Sequence, residues 1–332
     1  MSQNHPALET ARSLATVNDR LRAEIRKRVV GQDETLDLMM LALLCGGHAL
    51  LLGVPGVGKT LMAATMAKAL KLDFRRVQFT PDLMPSDITG AEVLEEDPTT
   101  RSYSRRFLPG PLFTHFLLAD EINRTPPKTQ AALLQAMQEK QISVGRETYA
   151  LKPPFVVLAT QNPIEMEGTY PLPEAQLDRF LFCIRVGYPT EDQEMEIVRE
   201  TTTQDHGEVL PVMTPEEIVA LQALVRGVPV AEDVIRHAVR LVGGTRPGAA
   251  AAVKEVTDYL EVGASPRASQ TLILAAKARA LLAGRVHVDF ADVRALAAPV
   301  LRHRLVLNFK SRAEGLDADA LVKRLLEKVP TP

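Results

Sequence analysis

Two cysteines, Cys45 and Cys183, are all that the 332 residues contain, and no CxxC spacing joins them. So sparse a supply argues against a disulfide framework or a zinc site. It suits two small buried apolar side chains in a reducing compartment. An excess charge of one sign is missing too: 39 Lys and Arg stand against 41 Asp and Glu, a formal net charge of −2. That balance gives no electrostatic reason to expect nucleic acid as a partner. Long hydrophobic runs are also lacking. The stretch from Leu41 to Leu52 is broken by Gly46, Gly47 and His48 and is too short to cross a bilayer. The first residues, Met1 to Pro6, lack the basic-then-apolar pattern of a secretory signal. The expectation is a cytoplasmic protein that does not enter a membrane.

What is present is ordinary for a globular chain: 46% apolar and 24% charged residues, with length for about two domains. Apolar residues at helical spacing predict helices over 7–30, with Leu14, Val17, Leu21 and Ile25, and over 33–44. Short runs rich in Val, Leu and Phe predict strands at 49–52, 74–79, 116–119, 155–160 and 180–186. Helices are expected between some of them, at 59–70 and 128–139. Runs of this kind suit a parallel sheet buried on both faces, hence an α/β fold with right-handed crossovers. Two stretches, 87–106 and 141–151, read as inserted hairpins. Beyond Tyr188 and Pro189 helical patterns dominate, at 192–199, 215–224, 231–241, 266–282 and 290–301. A boundary is therefore expected near residue 190, giving an α/β domain over 1–190 and a smaller all-helical domain over 191–332.

Chemistry concentrates at the ends of the expected strands. Gly53-Val54-Pro55-Gly56-Val57-Gly58-Lys59-Thr60 fits G-x-x-x-x-G-K-[ST], between an apolar strand and a helix that continues through Leu61. Glycines let backbone N–H groups curl around phosphate oxygens, and the helix adds its positive dipole end. Lys59 can reach the β- and γ-phosphates of ATP, and the Thr60 hydroxyl can ligate Mg²⁺. The strand 116–119 runs into Asp120-Glu121. A carboxylate at this sheet edge can support Mg²⁺ (Asp120), and the next one can polarise an attacking water (Glu121). Phe155 to Thr160 leads to Gln161-Asn162, where the Asn162 amide can sense the γ-phosphate. Arg179 precedes the last core strand. Arg267 falls in the first turn of a helix capped by Ser265 and Pro266, where the dipole disfavours a cation.

The blocks 118–124 (Leu-Ala-Asp-Glu-Ile-Asn-Arg), 159–163 (Ala-Thr-Gln-Asn-Pro), 167–180 (from Glu167 to Phe180) and 263–268 (Gly-Ala-Ser-Pro-Arg-Ala) resemble MoxR-type AAA+ ATPases. The resemblance runs from about Ala23 to Leu305. It implies an AAA+ core with a five-stranded parallel sheet, inserted hairpins and a helical lid. By position it implies that Val30 and Gly31 border the adenine, that Asn162 is sensor 1 and that Arg267 is sensor 2 from the lid. Arg179 becomes the arginine finger that reaches the ATP of a neighbouring subunit. The resemblance further implies a hexameric homo-oligomer acting as a chaperone-like partner of a separate protein with a von Willebrand factor A domain. Two other functions remain open to the residues alone: a nucleotide-dependent scaffold with little turnover, and a DNA-associated motor. Glu121 with Arg179 weighs against the first, and the charge balance against the second.

Overall fold

The computed structural model describes residues 5–96, 103–164, 168–202 and 207–331. Residues 1–4, the 97–102 tip of the first expected hairpin, and Glu167 of the family-like block lie outside the described residues. In chain order the strands are β1 Ala49–Leu52, β2 Phe74–Gln78, β3 Gly90–Glu96, β4 Tyr103–Pro109, β5 Phe116–Asp120, β6 Gln141–Val144, β7 Glu147–Ala150, β8 Val156–Gln161, β9 Phe182–Arg185, β10 Leu260–Val262 and β11 Val306–Leu307. Five of them form one parallel sheet in the order β2-β5-β8-β1-β9. The pairs β3-β4 and β6-β7 are antiparallel hairpins, as expected from the sequence.

Side chains on the central strands alternate between two cores, as the period of two requires. Ala49, Leu51, Phe116, Leu118, Val156 and Leu158 face the larger core, while Leu50, Leu117, Ala119, Val157 and Ala159 face the smaller one. The larger core lies against helices α1 His5–Arg26, α2 Asp33–Leu44 and α3 Lys59–Ala69. The smaller packs beneath the short helix α4 Pro85–Thr89 and α5 Pro127–Glu139. Strand β2 departs from burial on both faces because it is the sheet edge, and it leaves Arg75 and Arg76 exposed. Register places the strand ends together: Leu52 lies opposite Gln161, Gln78 opposite Asp120, and Ala119 opposite Ala159. Everything that follows β1, β5 and β8 therefore emerges at one edge.

After the short helix α6 Glu174–Leu177 and strand β9 come nine helices among the described residues. They are α7 Glu191–Thr202, α8 Pro215–Gly227, α9 Glu232–Gly243, α10 Lys254–Thr257, α11 Pro266–Leu282, α12 Phe290–Ala295, α13 Ala297–Leu301, α14 Phe309–Ala313 and α15 Ala318–Lys328. Strands β10 and β11 add a small antiparallel ribbon to this otherwise helical lid. The single helix expected over 290–301 is two. Pro299 cannot donate to the carbonyl of Ala295 and its ring crowds that carbonyl, so the ladder breaks at Leu296. Helix α15, beyond the family-like blocks, is capped by Asp317, and its Leu321, Val322 and Leu325 are buried. Both cysteines are free and buried, and burial pushes their thiols up to about 12. No helix of the described residues is long and apolar enough to cross a membrane.

Candidate active site

The turn between β1 and α3 is shaped by three glycines with different reasons. Gly56 and Gly58 adopt φ of 85° and 82°, which L side chains rarely do, and no heavy atom lies within 4 Å of where a Cβ would stand. Their backbone thus borders open space at the start of α3. At Gly53 the constraint is crowding: a Cβ would come within 2.6 Å of the Val186 carbonyl beyond β9. The Lys59 ammonium donates to the carbonyls of Gly53 at 2.5 Å and Val54 at 3.1 Å, which holds it across the mouth of the loop. Burial lowers its pKa, while the charges of Asp120 and Glu121 oppose the shift. Thr60 occupies the first turn of α3 and Pro55 the exposed tip of the loop.

At the end of β5 the two carboxylates are held by different partners. Asp120 accepts from the Thr160 hydroxyl at 2.6 Å through Oδ1, and from the Arg76 guanidinium at 3.1 and 2.7 Å through Oδ2. Glu121 takes a left-handed backbone, φ 56° and ψ 49°, which costs a non-glycine residue about 1–2 kcal/mol. Its N–H donates to the Thr160 hydroxyl at 2.9 Å, which fixes that turn. The Glu121 carboxylate accepts from Gln78 at 2.7 Å and Arg124 at 3.0 Å. Asn162 is buried and its Oδ1 accepts from the Ile164 N–H at 3.1 Å, so the amide also closes a local turn. The supporting residues Arg76, Gln78 and Thr160 escaped sequence reasoning. The available signal was polar side chains on otherwise apolar strands.

Beside this edge lies a cavity of about 330 Å³ bordered by Val30, Gly56, Val57, Gly58 and Leu61, with Ile197 and Thr201 of α7 on the far wall. Gly31 does not border it. It turns the chain at φ 66°, next to Gln32 at φ 60°, whose amide donates to the Gly187 carbonyl at 3.1 Å. No cluster of three or more His, Cys, Asp or Glu side chains among the described residues is arranged to hold a metal ion. The oxygen donors near the loop, the Thr60 hydroxyl and the Asp120 carboxylate, are of the kind that would support a hard cation such as Mg²⁺.

The structure brings Arg179 and Arg267 together, away from the phosphate loop. Both border a second cavity, about 530 Å³, and none of Gly53–Thr60, Asp120, Glu121 or Asn162 borders it. Arg267 lies 3.5 Å from the Asp178 carboxylate, and Arg179 donates to the Leu134 carbonyl at 3.1 Å. Asp178 is also gripped by Ser265 at 3.0 Å and by Arg304 at 2.7 Å. Arg304 is the residue that sequence reasoning missed here. It is buried, and it donates to the carbonyls of Asp178, Phe180, Leu181 and Val300, which ties the Arg179 segment to the lid. His48 borders the same cavity. It accepts from the Val157 N–H through Nδ1 and bonds the Met137 carbonyl through Nε2, each at 3.0 Å, and burial brings its pKa down to about 4.

Known proteins share this arrangement. A family profile described as the ATPase family associated with various cellular activities (AAA) matches residues 48–182, and an AAA lid domain profile matches 253–325. Chaperone MoxR1 of Mycobacterium tuberculosis is 42% identical over 93% of this chain and 81% of its own length. Protein MoxR of Paracoccus denitrificans is 34% identical over 92% and 93%. A crystal structure of a candidate ATPase from Cytophaga hutchinsonii superposes with a TM-score of 0.90 at 37% identity, over the whole of both chains. With relatives this similar across nearly all its length, the chain belongs to the MoxR family of AAA+ ATPases.

Proposed function

We propose that this chain hydrolyses ATP with Mg²⁺ at the edge formed by β1, β5 and β8, in a ring whose neighbouring subunits complete each site. One observation supports this reading: the phosphate loop borders one cavity, and the two arginines border another that neither that loop nor Asp120 and Glu121 touch. Arg179 and Arg267 border no phosphate loop of their own chain, and a second subunit is the simplest way to bring a phosphate to them.

In this reading each group has a role. Backbone N–H groups from Gly56 to Thr60 and the α3 dipole take the phosphates, and Lys59 moves from the loop carbonyls to their oxygens. Thr60 and Asp120 would support a bound Mg²⁺, which would supply neutralising charge to the phosphates. Glu121 accepts a proton from the attacking water, and Asn162 positions that water or reads the γ-phosphate. Val30 and Leu61 border the adenine. Arg179 acts as the finger on the neighbour's ATP. Arg267, which stands beside it, serves the same neighbouring site rather than its own.

The domain boundary falls near residue 190, where β9 gives way to α7. The energy of hydrolysis goes to chaperone-like remodelling of a partner, in keeping with a relative named as a chaperone. A hexamer and a separate client with a von Willebrand factor A domain fit the family resemblance, in the cytoplasm. The test is steady-state ATP hydrolysis against protein concentration, wild type beside Glu121→Gln. A specific rate that climbs with concentration and drops 10²–10⁴-fold in the variant is expected for a shared site with Glu121 as base. A rate per subunit independent of concentration, down to a demonstrated monomer, defeats the shared site.

A further inference from the structure

Helix α7 has two unlike faces. Gln193, Ile197 and Glu200, at i, i+4 and i+7, are partly buried, and Ile197 with Thr201 walls the nucleotide cavity. The other face exposes Met195 at 46% and Val198 at 54%, with Glu191 and Glu194 toward its N-terminal end and Arg199 toward its C-terminal end. The helix is strongly acidic: Glu191, Asp192, Glu194, Glu196 and Glu200 stand against the single Arg199. An acidic helix with an apolar stripe on its outer side is half of a contact.

The matching half lies on the lid. A groove of about 440 Å³ runs over α9 and α11, floored by Ile235, Val239, Ile273 and Leu274 and rimmed by Arg226 and Lys277. No acidic side chain borders it. Arg226, Gln270 and Leu274 also border the cavity of Arg179 and Arg267, so groove and cavity form one continuous surface.

The geometry points to α7 of a second copy of this chain as the occupant of that groove. Met195 and Val198 lie on Ile235 and Val239, with Glu191 and Glu194 toward Arg226 and Lys277. This contact rests on the shared-site reading. If Arg179 and Arg267 reach a neighbour's phosphates, the surface continuous with their cavity must face the neighbour's nucleotide cavity, whose outer wall is α7. Each subunit then offers an acidic helix on one side and a basic groove on the other, a head-to-tail contact that closes into a ring when the rotation allows. Apolar burial supplies the attraction and the rim charges fix the direction of docking. Because one face of α7 walls a subunit's own nucleotide and the other meets its neighbour, bound nucleotide that steadies α7 also strengthens the contact.

Cross-linking of mixed full-length chains tests it. One chain carries Met195→Cys and a differently tagged chain carries Val239→Cys, with a short bis-maleimide and Mg-ATP present. The native thiols are buried, so the introduced pair is the reactive one. The expected product is a mixed-tag dimer, absent when Leu94→Cys on the first hairpin replaces Met195→Cys. In parallel, Lys277→Glu should raise the concentration needed for assembly by tenfold or more in sedimentation, with the monomer still folded by circular dichroism. Adding Glu194→Lys to the same chain should bring it back. If wild type assembles and shows concentration-dependent ATPase but neither cross-link nor rescue occurs, the α7 contact is overturned while the shared site survives. If wild type is fully active as a monomer, the shared site falls first and takes the contact with it.

Discussion

The phosphate edge and the arginine cavity are built on opposite plans. At the edge the side chains come in contiguous motifs, and each carboxylate is already gripped by nearby partners: Thr160 and Arg76 from adjacent strands on Asp120, and Gln78 from β2 with Arg124 from the next turn on Glu121. Sheet register delivers all of them but Arg124, which the turn after β5 supplies. In the arginine cavity the key groups come from three distant places, residues 178–179, Arg267 and Arg304, and meet only through the lid. Arg267 remains 54% exposed beside an Asp178 that Arg304 holds more closely. The first region is self-sufficient for binding. The second borders no phosphate loop of its own chain, and under the proposed shared site the two become complementary across a boundary between molecules.

The harshest way to break this comparison is Arg179→Ala. A shared site predicts a loss of roughly 10³–10⁵ in turnover with nucleotide affinity kept. Mixing that variant with Lys59→Ala subunits should restore part of the activity, because a subunit with an intact loop then sits beside one with an intact finger. Steady-state rates across mixing ratios give the answer. Strictly additive, inactive mixtures would show that Arg179 does not act on a neighbour.

Legibility in the sequence follows the same divide. The five core strands, α2, α11 and both hairpins were readable because period and composition are local properties, and the loop 53–60 and the pair Asp120-Glu121 are contiguous in the chain. Arg76 and Gln78 were not readable, because their partners lie about 40 residues away and only the parallel register of β2 with β5 brings them together. Arg304 was hidden for the same reason, in a run, Arg302-His303-Arg304, that looks like a solvated basic patch. In the fold each of its three side chains bonds a carbonyl of the 178–183 segment. Arg179 and Arg267 were found, but that they share one cavity could be seen only once the lid was in place.

A second way to sharpen the comparison is to cut the tie between lid and finger. Arg304→Met keeps the bulk but leaves Asp178 half-buried without its main cation, which should cost about 3–5 kcal/mol of stability. A fall in the chemical denaturation midpoint reads it. Arg304→Lys should recover part of the stability but less of the turnover, since one ammonium cannot serve the carboxylate and several carbonyls together. Equal recovery of both would reduce Arg304 to a purely structural anchor.

The arginine cavity should also be the more acid-sensitive of the two regions. His48 has its pKa lowered by burial from the ordinary 6.5 to about 4, and burial pushes His303 well below its ordinary value as well. A folded state that binds protons less readily than the unfolded chain is favoured at high pH. The contribution is therefore complete above about 6.5, declines as pH falls toward 4, and then levels off; for His48 it amounts to at most about 3 kcal/mol. His48→Asn, which can still accept from one backbone group and donate to the other, should flatten that decline in denaturation curves taken from pH 7 to 4. An unchanged slope would assign the acid sensitivity elsewhere.

The gentlest test lies at the phosphate edge, where the bond from Gln78 to Glu121 either aims the carboxylate or restrains it. The left-handed turn at Glu121 is already fixed from behind by Thr160, so the backbone does not need Gln78. What Gln78 controls is the rotamer of the carboxylate, which Arg124 also holds through the same Oε2. With one of two donors gone, the Glu121 carboxylate samples more orientations, and the fraction poised toward water shrinks without loss of the base itself. Gln78→Ala should therefore lower kcat by about 3–10-fold, on the order of one solvent-exposed hydrogen bond to a carboxylate that keeps its other donor, and leave KM unchanged. Gln78→Glu should do worse, by placing a like charge against Glu121. If Gln78→Ala instead turns over faster than wild type, the bond is a restraint that a neighbour or a client must release, and the phosphate edge is less self-sufficient than its geometry indicates.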